Sequence, residues 1–192
     1  TTEFDRPHRV PSLSADHPKY NPLGRYWQGG VWPGTNYMTI DGLYRKGYHD
    51  LAREIAANHY AAVFEVWKNT GTFWEYYAPE KIEPGFMARK DFVGWTGLPP
   101  IAVFIEYILG VKSDYSEGRI VWDIEHTEAH GIERYPYGPD GVVGLKVKRR
   151  ASAGETPSVS VETNVPFDLT VTWGDGRSRT VRVEKSGRVK LN

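Results

Sequence analysis

Residues 48–68, YHDLAREIAANHYAAVFEVWK, decide how the first half of this chain is read. Leu51, Ile55, Ala62, Val63 and Val66 recur at helical spacing and share one broad apolar face, which predicts a long amphipathic helix. Upstream, Pro33-Gly34-Thr35-Asn36 reads as a helix start, continued by Tyr37, Ile40, Leu43 and Tyr44 and stopped at Gly47. Downstream, a third helix is predicted from Pro99-Pro100 to Gly110, with Ile101, Phe104, Ile105 and Ile108 as its buried stripe. Residues 1–25 carry Pro7, Pro11, Pro18 and Pro22 and read as extended connection. Residues 69–96 hold Gly71, Pro79, Pro84 and Gly85 and are predicted to be irregular. A loop of that length in a compact domain is functional or disordered, and its aromatic content argues against disorder.

From about residue 116 the pattern changes to short alternating runs. These are 119–123, 142–149, 159–163, 167–173 and 180–183, with Asp140-Gly141 and Asp175-Gly176 as hairpin signals. They predict a small antiparallel β-module, a sandwich or part of one. The expected division is therefore 1–115, mainly α, and 116–192, antiparallel β.

Composition narrows the function. Lys plus Arg equals Asp plus Glu at 24 each, which gives no attraction for nucleic acid. Cysteine is absent, so no disulfide framework or thiolate metal site is expected, and no cofactor is called for. No apolar run is long enough to span a bilayer, so the chain reads as soluble, with its compartment open. The first residue is Thr, which reads as the middle of a longer chain or a processed product. Aromatic residues are the informative excess: 20 of the 26 fall in residues 1–110. Rings stack on the C–H faces of a pyranose, and polar partners hold its hydroxyls. Filling a core is the other use of such rings.

Three segments in order carry a resemblance. Tyr26-Trp27-Gln28-Gly29-Gly30-Val31-Trp32-Pro33, followed by Asn36-Tyr37, is similar to the Trp-Arg-Gly-Pro-x-Trp segment of family 63 glucosidases and, more loosely, to a trehalase segment. Gly71-Thr72-Phe73-Trp74-Glu75-Tyr76-Tyr77-Ala78-Pro79-Glu80 resembles the Tyr-Glu-x-Tyr-x-Pro segment that carries the family 63 general base. Asp91-Phe92-Val93-Gly94-Trp95-Thr96-Gly97 resembles the segment that starts the last barrel helix. The resemblance covers roughly residues 20–110 and implies the last hairpins of an (α/α)6 toroid. Gln28 stands where family 63 has Arg. Phe86 stands at the spacing of the trehalase base. This favours the family 63 and mannosylglycerate-hydrolase branch over trehalase proper.

Glycoside hydrolysis uses two carboxyl groups, one to protonate the leaving oxygen and one to activate water. The resemblance implies an inverting, exo-acting hydrolase of α-linked glucosides or related sugars, with Glu75 as the water-activating base. It places Tyr26, Trp27, Gln28 and Trp32 near the sugar subsite, with Tyr76 and Trp95 as further contacts. Burial beside Trp74, and hydrogen bonds from the Tyr76 and Tyr77 phenols, are expected to tune Glu75. The family's acid lies upstream of the first segment. Glu3, Asp5 and Asp16 are the only carboxylates before Tyr26, and none sits in a matching motif. The acid is therefore expected in a missing N-terminal part of the barrel, present as a separate chain or a further segment. The other reading is a non-catalytic carbohydrate-binding or structural subunit that shares the fold.

His126 and His130 are four apart, but in a stretch that reads as β or loop, so no metal is expected there. Gly29-Gly30 lacks the Lys of a phosphate loop and reads as close backbone approach. Glu80, Glu83 and Asp91 read as solvated or structural carboxylates.

Overall fold

The structure is a computed structural model that describes residues 2–191. The chain divides into two compact units, Thr1–Ile108 and Leu109–Asn192.

In the first unit, α1 (Pro33–Arg45) and α2 (His49–Thr70) are the only α-helices among the described residues. Pro33 fits the first turn because its missing N–H would have no acceptor there. Gly71, at φ 72°, closes α2 in the left-handed conformation that glycine tolerates best. The buried face of α2 runs through Ala52, Ile55, Ala56, His59, Ala62, Val63 and Val66. Leu51 was expected on this face but lies at its edge, 43% exposed. Ile55, Ala52 and Ala56 pack with Ile40, Val103 and Tyr107 in one cluster. Val63 and Val66 pack with Val31 and Tyr77 in another.

The reading of this half as part of an (α/α)6 toroid is corrected by these elements. The α-helices span 13 and 22 residues. Among the described residues, eight strands in two sheets dominate, and the helical part is small. Residues 71–98, largely expected to be irregular, add no α-helix to the two. Pro and Gly interrupt every run there, and the backbone pairs in short bridges instead, Val31 with Tyr77, Tyr77 with Pro84 and Trp74 with Lys90. The third helix is also different in kind. Pro99–Ile108 is π-helical, with the Val103 N–H donating to the Leu98 carbonyl five residues back at 2.9 Å. Its buried positions are Pro99, Val103 and Tyr107, so the stripe drawn through Ile101 misses and Ile101 is 63% exposed.

The second unit contains two four-stranded sheets. One has the order β1 (Val111–Asp114), β2 (Arg119–Ile124), β6 (Phe167–Trp173), β7 (Arg177–Val183). The other has the order β3 (His130–Tyr137), β4 (Gly141–Val147), β5 (Val159–Thr163), β8 (Gly187–Val189). Alternation buries Ile120, Trp122 and Ile124 of β2 with Phe167, Leu169, Val171 and Trp173 of β6. Tyr137 and Phe167 meet across the sheets at 5.5 Å, as do Trp122 and His130 at 5.8 Å. The module is not wholly antiparallel: β2 and β6 run parallel, Arg119 opposite Asp168 through Ile124 opposite Trp173. The chain leaves β2, builds three strands of the other sheet and returns to β6, and such a return permits a parallel neighbour.

Arg150 ties this unit together from within. It is 4% exposed, and its guanidinium donates to the carbonyls of Ala153, Glu155, Ile124 and His126. Burial pushes its pKa down. Arg150→Met keeps the stem and strips all four donors. About 3 kcal/mol of stability is expected to go, because buried carbonyls are left unmet. The urea midpoint followed by the β-sheet circular dichroism signal should fall by about 1–3 M. An unchanged midpoint would show that Arg150 does not staple the loops.

Candidate functional site

The first and second motif segments are joined at the backbone. Val31 and Tyr77 exchange both N–H···O bonds, at 2.9 and 3.0 Å. That register sets Trp32 beside Tyr76, and their rings stack at 4.5 Å and 29°. Trp27 stacks on the Trp32 ring at 4.3 Å and 15°. Tyr26 stands edge-on to Trp27, Trp32 and Tyr76 at 5.9, 5.0 and 5.9 Å. Trp95 meets Trp32 edge-on at 5.5 Å. The structure therefore gathers five of the seven nominated side chains, Tyr26, Trp27, Trp32, Tyr76 and Trp95, into one cluster.

The cluster has a buried base and an exposed rim. Trp32 and Tyr76 are 2% and 3% exposed, while Tyr26, Trp27 and Trp95 are 53%, 47% and 40% exposed. A rim of half-exposed rings carried on a fixed base suits stacking against a ligand face. The turn that delivers it needs a glycine. A Cβ on Gly30 would stand 2.4 Å from the Tyr26 carbonyl oxygen. That same oxygen accepts the Gly30 N–H at 2.9 Å and the Trp32 Nε1–H at 3.2 Å.

Glu75 is tied into this cluster through its backbone. Its N–H donates to the Arg89 carbonyl at 3.0 Å, and its carbonyl accepts the Trp95 Nε1–H at 2.9 Å. The Thr96 hydroxyl donates to the preceding carbonyl, that of Trp74, at 2.7 Å. The third segment thus holds two successive carbonyls of the second. The expected phenol bonds to Glu75 are replaced by others. Tyr76 donates its O–H to the Phe86 carbonyl at 2.9 Å, and the Tyr77 phenol oxygen accepts the Trp74 N–H at 3.3 Å. Burial, and then the negative charge of Glu75, push the Tyr76 phenol pKa up.

An open recess of about 220 Å³ lies between Trp27 and Trp95, completed by Trp32, Gly34, Thr35 and Met38. The first turn of α1 borders it, with no side-chain cap, and helix N-termini carry N–H groups without intrahelical acceptors. The side chains of Glu75, Gln28, Tyr26 and Tyr76 do not line it. Gln28 sits in the turn that begins at Arg25, with its N–H on the Arg25 carbonyl and its carbonyl on the Asn21 N–H. Gly34, Thr35 and Met38 escaped the sequence reading. Their signal is positional, since Gly34 and Met38 lie one helical turn apart directly after Trp32.

The other loop carboxylates are mostly committed. Glu80 receives Arg6 in two bonds of 2.7 and 2.6 Å and the Tyr20 hydroxyl at 2.6 Å. The hydrogen bonds from Arg6 hold its pKa below the usual carboxylate range. Asp91 accepts the Thr72 hydroxyl at 2.7 Å. Glu83 is exposed. Among the described residues no group of three or more His, Asp or Glu side chains converges as a metal site. The His126 and His130 rings meet edge-on at 5.8 Å. No described helix is long and apolar enough to cross a membrane.

Residues 1–93 match the family model of the mannosylglycerate hydrolase MGH1-like glycoside hydrolase domain. A Borreliella burgdorferi protein described as uncharacterized is 27% identical over 144 residues, covering 69% of this chain and 30% of its own length. That match takes in more residues than the first unit holds, so it runs into the β unit. A probable mannosyl-oligosaccharide glucosidase of Schizosaccharomyces pombe is 34% identical over 106 residues, covering 50% of this chain and 13% of its own length. Mannosylglycerate hydrolase MGH1 of Selaginella moellendorffii is 41% identical over 70 residues, covering 36% of this chain and 13% of its own length. The chain thus spans less than a third of these relatives.

Proposed function

From the match of residues 1–93 to the MGH1-like glycoside hydrolase domain, we propose that this chain supplies the water-activating side of a glycosidase active site, with Glu75 as the base. The observation that carries the reading is the Trp95 Nε1–H bond to the Glu75 carbonyl at 2.9 Å. It ties the carboxylate-bearing loop to the aromatic rim of the recess. In this reading the rim holds the sugar ring of an α-linked glucoside or a related α-glycoside. The Glu75 carboxylate takes a proton from a water on the face opposite the leaving group. The water oxygen bonds to the anomeric carbon as the glycosidic bond breaks. A carboxylic acid from the remainder of the domain protonates the leaving oxygen, and the anomeric configuration inverts. Gln28 offers an amide that donates and accepts towards adjacent hydroxyls. Residues 116–192 act as an accessory module.

The names of the relatives support hydrolysis of a glycosidic bond in a mannosyl-oligosaccharide or in mannosylglycerate. The chain alone is expected to release no sugar, because it lacks the acid. Combined with the complementary part of the Selaginella moellendorffii enzyme, it should cleave an α-linked substrate, with the β anomer appearing first by proton NMR. Hydrolysis by the chain alone would overturn the division of roles, and first appearance of the α anomer would overturn inversion. A second reading, a carbohydrate-binding subunit without catalysis, is favoured by the absence of any carboxylate among the recess-lining residues. It predicts sugar binding with no turnover in the same mixture.

A further inference from the structure

His8 and His59 are each fully buried, and they meet in a single hydrogen bond, His8 Nε2 to His59 Nδ1, at 2.9 Å. Their outer nitrogens, His8 Nδ1 and His59 Nε2, are buried without a partner in the structure. Two neutral imidazoles hold one proton each. Whichever ring donates, one outer nitrogen keeps an N–H and the other a bare lone pair. A pair with two unmet ends is costly to bury, so its position asks for a reason.

That position is beneath the Glu75 loop. The His8 backbone N–H donates to the Pro79 carbonyl at 2.9 Å, and the His8 ring packs on Tyr77 at 5.5 Å. Tyr77 is the residue that pairs with Val31 and sets Trp32 beside Tyr76. His59 stands on the buried face of α2. The flanking segment is fastened to the helices by two amides. Asn36 accepts the Val10 N–H and donates to the Val10 carbonyl, and Asn58 accepts the Arg9 N–H and donates to the Pro7 carbonyl. The His8–His59 bond thus joins the N-terminal segment to α2, and His8 carries the loop with it through its backbone bond to Pro79 and its ring contact with Tyr77.

We propose that the His8–His59 pair is an acid-sensitive latch that keeps the Glu75 loop and the aromatic cluster in place. The functional meaning of the latch rests on the Glu75 assignment, although its test does not. A first added proton places a charge in the interior. A second makes both facing nitrogens donors and breaks the bond. The charged groups on the surrounding elements are engaged with each other: Arg6 with Glu80, and Arg9 with Asp5 and Glu54. Tyr77 presents a ring, and burial pushes its phenol pKa up. Burial, and secondarily the charge of His59, hold His8 well below the ordinary histidine range, and burial alone pushes His59 down to about 3.

The sign follows from these shifts. An unfolded His titrates near 6.5, above both native values, so the open state binds more protons. The latch is fully effective above about pH 6.5 and weakens as pH falls from there towards about 3. Two protons taken up together make opening up to about 100-fold easier per pH unit.

The test uses the full chain between pH 7.5 and 4.5, followed by near-ultraviolet circular dichroism of its tryptophans. The wild type should lose the signal of the Trp27, Trp32 and Trp95 cluster on acidification, in denaturant chosen to bring the transition into range. The pair variant His8→Phe with His59→Leu, which removes both partners at once, should lose that pH dependence relative to wild type. Equal pH dependence in the two proteins would overturn the latch. If the pair variant does not fold, nitrogen-15 NMR of wild-type imidazoles decides the matter. Two neutral rings down to pH 5 are expected, and titration of either ring near 6.5 would overturn it. Neither readout involves hydrolysis, so the latch and the Glu75 assignment fail separately.

Discussion

Glu75→Gln in the complete enzyme is expected to lower the hydrolytic rate by about 10²–10⁴-fold, the usual range for a positioned proton-transfer group. The substitution keeps the shape of the side chain. It leaves the backbone bonds from Trp95 and to Arg89 unchanged, since both involve main-chain atoms of residue 75. The aromatic cluster and the recess should therefore survive, and substrate affinity should change little. The loss would appear in kcat. A drop below about tenfold, roughly 1.4 kcal/mol of barrier, would show that another group activates the water. A rise in KM with kcat unchanged would place Glu75 in binding instead.

Trp32→Ala is expected to have the largest effect on stability. The ring is 2% exposed and lies between Trp27 and Tyr76, with its Nε1–H on the Tyr26 carbonyl. Emptying such a site removes stacking on both faces and leaves a cavity, which takes away about 3–5 kcal/mol. That is a large share of a domain whose whole stability is of order 5–15 kcal/mol. Trp27 would lose its support, so ligand binding should fall with stability. Trp32→Phe keeps a ring between the two neighbours and removes mainly the hydrogen bond, for about 1 kcal/mol. Denaturant unfolding of the three proteins checks the order. Equal stability of Trp32→Ala and wild type would mean that the stack is not structural.

What the residues revealed depended on how local the signal was. The start of α1 at Pro33 and the run of α2 are set by neighbouring residues, so periodicity finds them. The β6 strand, alternating Phe167, Leu169, Val171 and Trp173, is as plain. The pairing of β2 with β6 is not local. Nothing in either strand says that they run parallel, because the choice lies in the crossover between the sheets. The helix predicted at residues 99–110 is present over Pro99–Ile108, but it is π-helical and its buried positions differ from those expected. The buried positions are Pro99, Val103 and Tyr107, while Ile101 of the expected stripe is exposed and Phe104, Ile105 and Ile108 are only partly buried.

The site follows the same logic. Tyr26, Trp27, Trp32, Tyr76 and Trp95 were nominated from motif segments, and the Val31–Tyr77 pairing brings the first two segments together. The toroid expectation came from the family resemblance, and among the described residues the helices are too few to carry it beside eight strands in two sheets. The His8–His59 pair was missed altogether. Its trace is faint but present: His59 lies four residues after Ile55 and four before Val63, inside the apolar stripe of α2. A histidine on such a stripe needs a buried partner, and that partner comes from a segment that reads only as proline-rich connection.

Azide tests the proposed role of Glu75 as the water-activating base most directly. Azide is already an anionic nucleophile and needs no proton removed. In Glu75→Ala, it should attack the anomeric carbon in place of water while the acid still protonates the leaving oxygen. The complete enzyme carrying Glu75→Ala, given an α-linked substrate, should be nearly inactive in water. With azide it should recover activity and form the β-glycosyl azide. Failure of azide to restore turnover, or formation of the α-glycosyl azide, would contradict the assignment of Glu75.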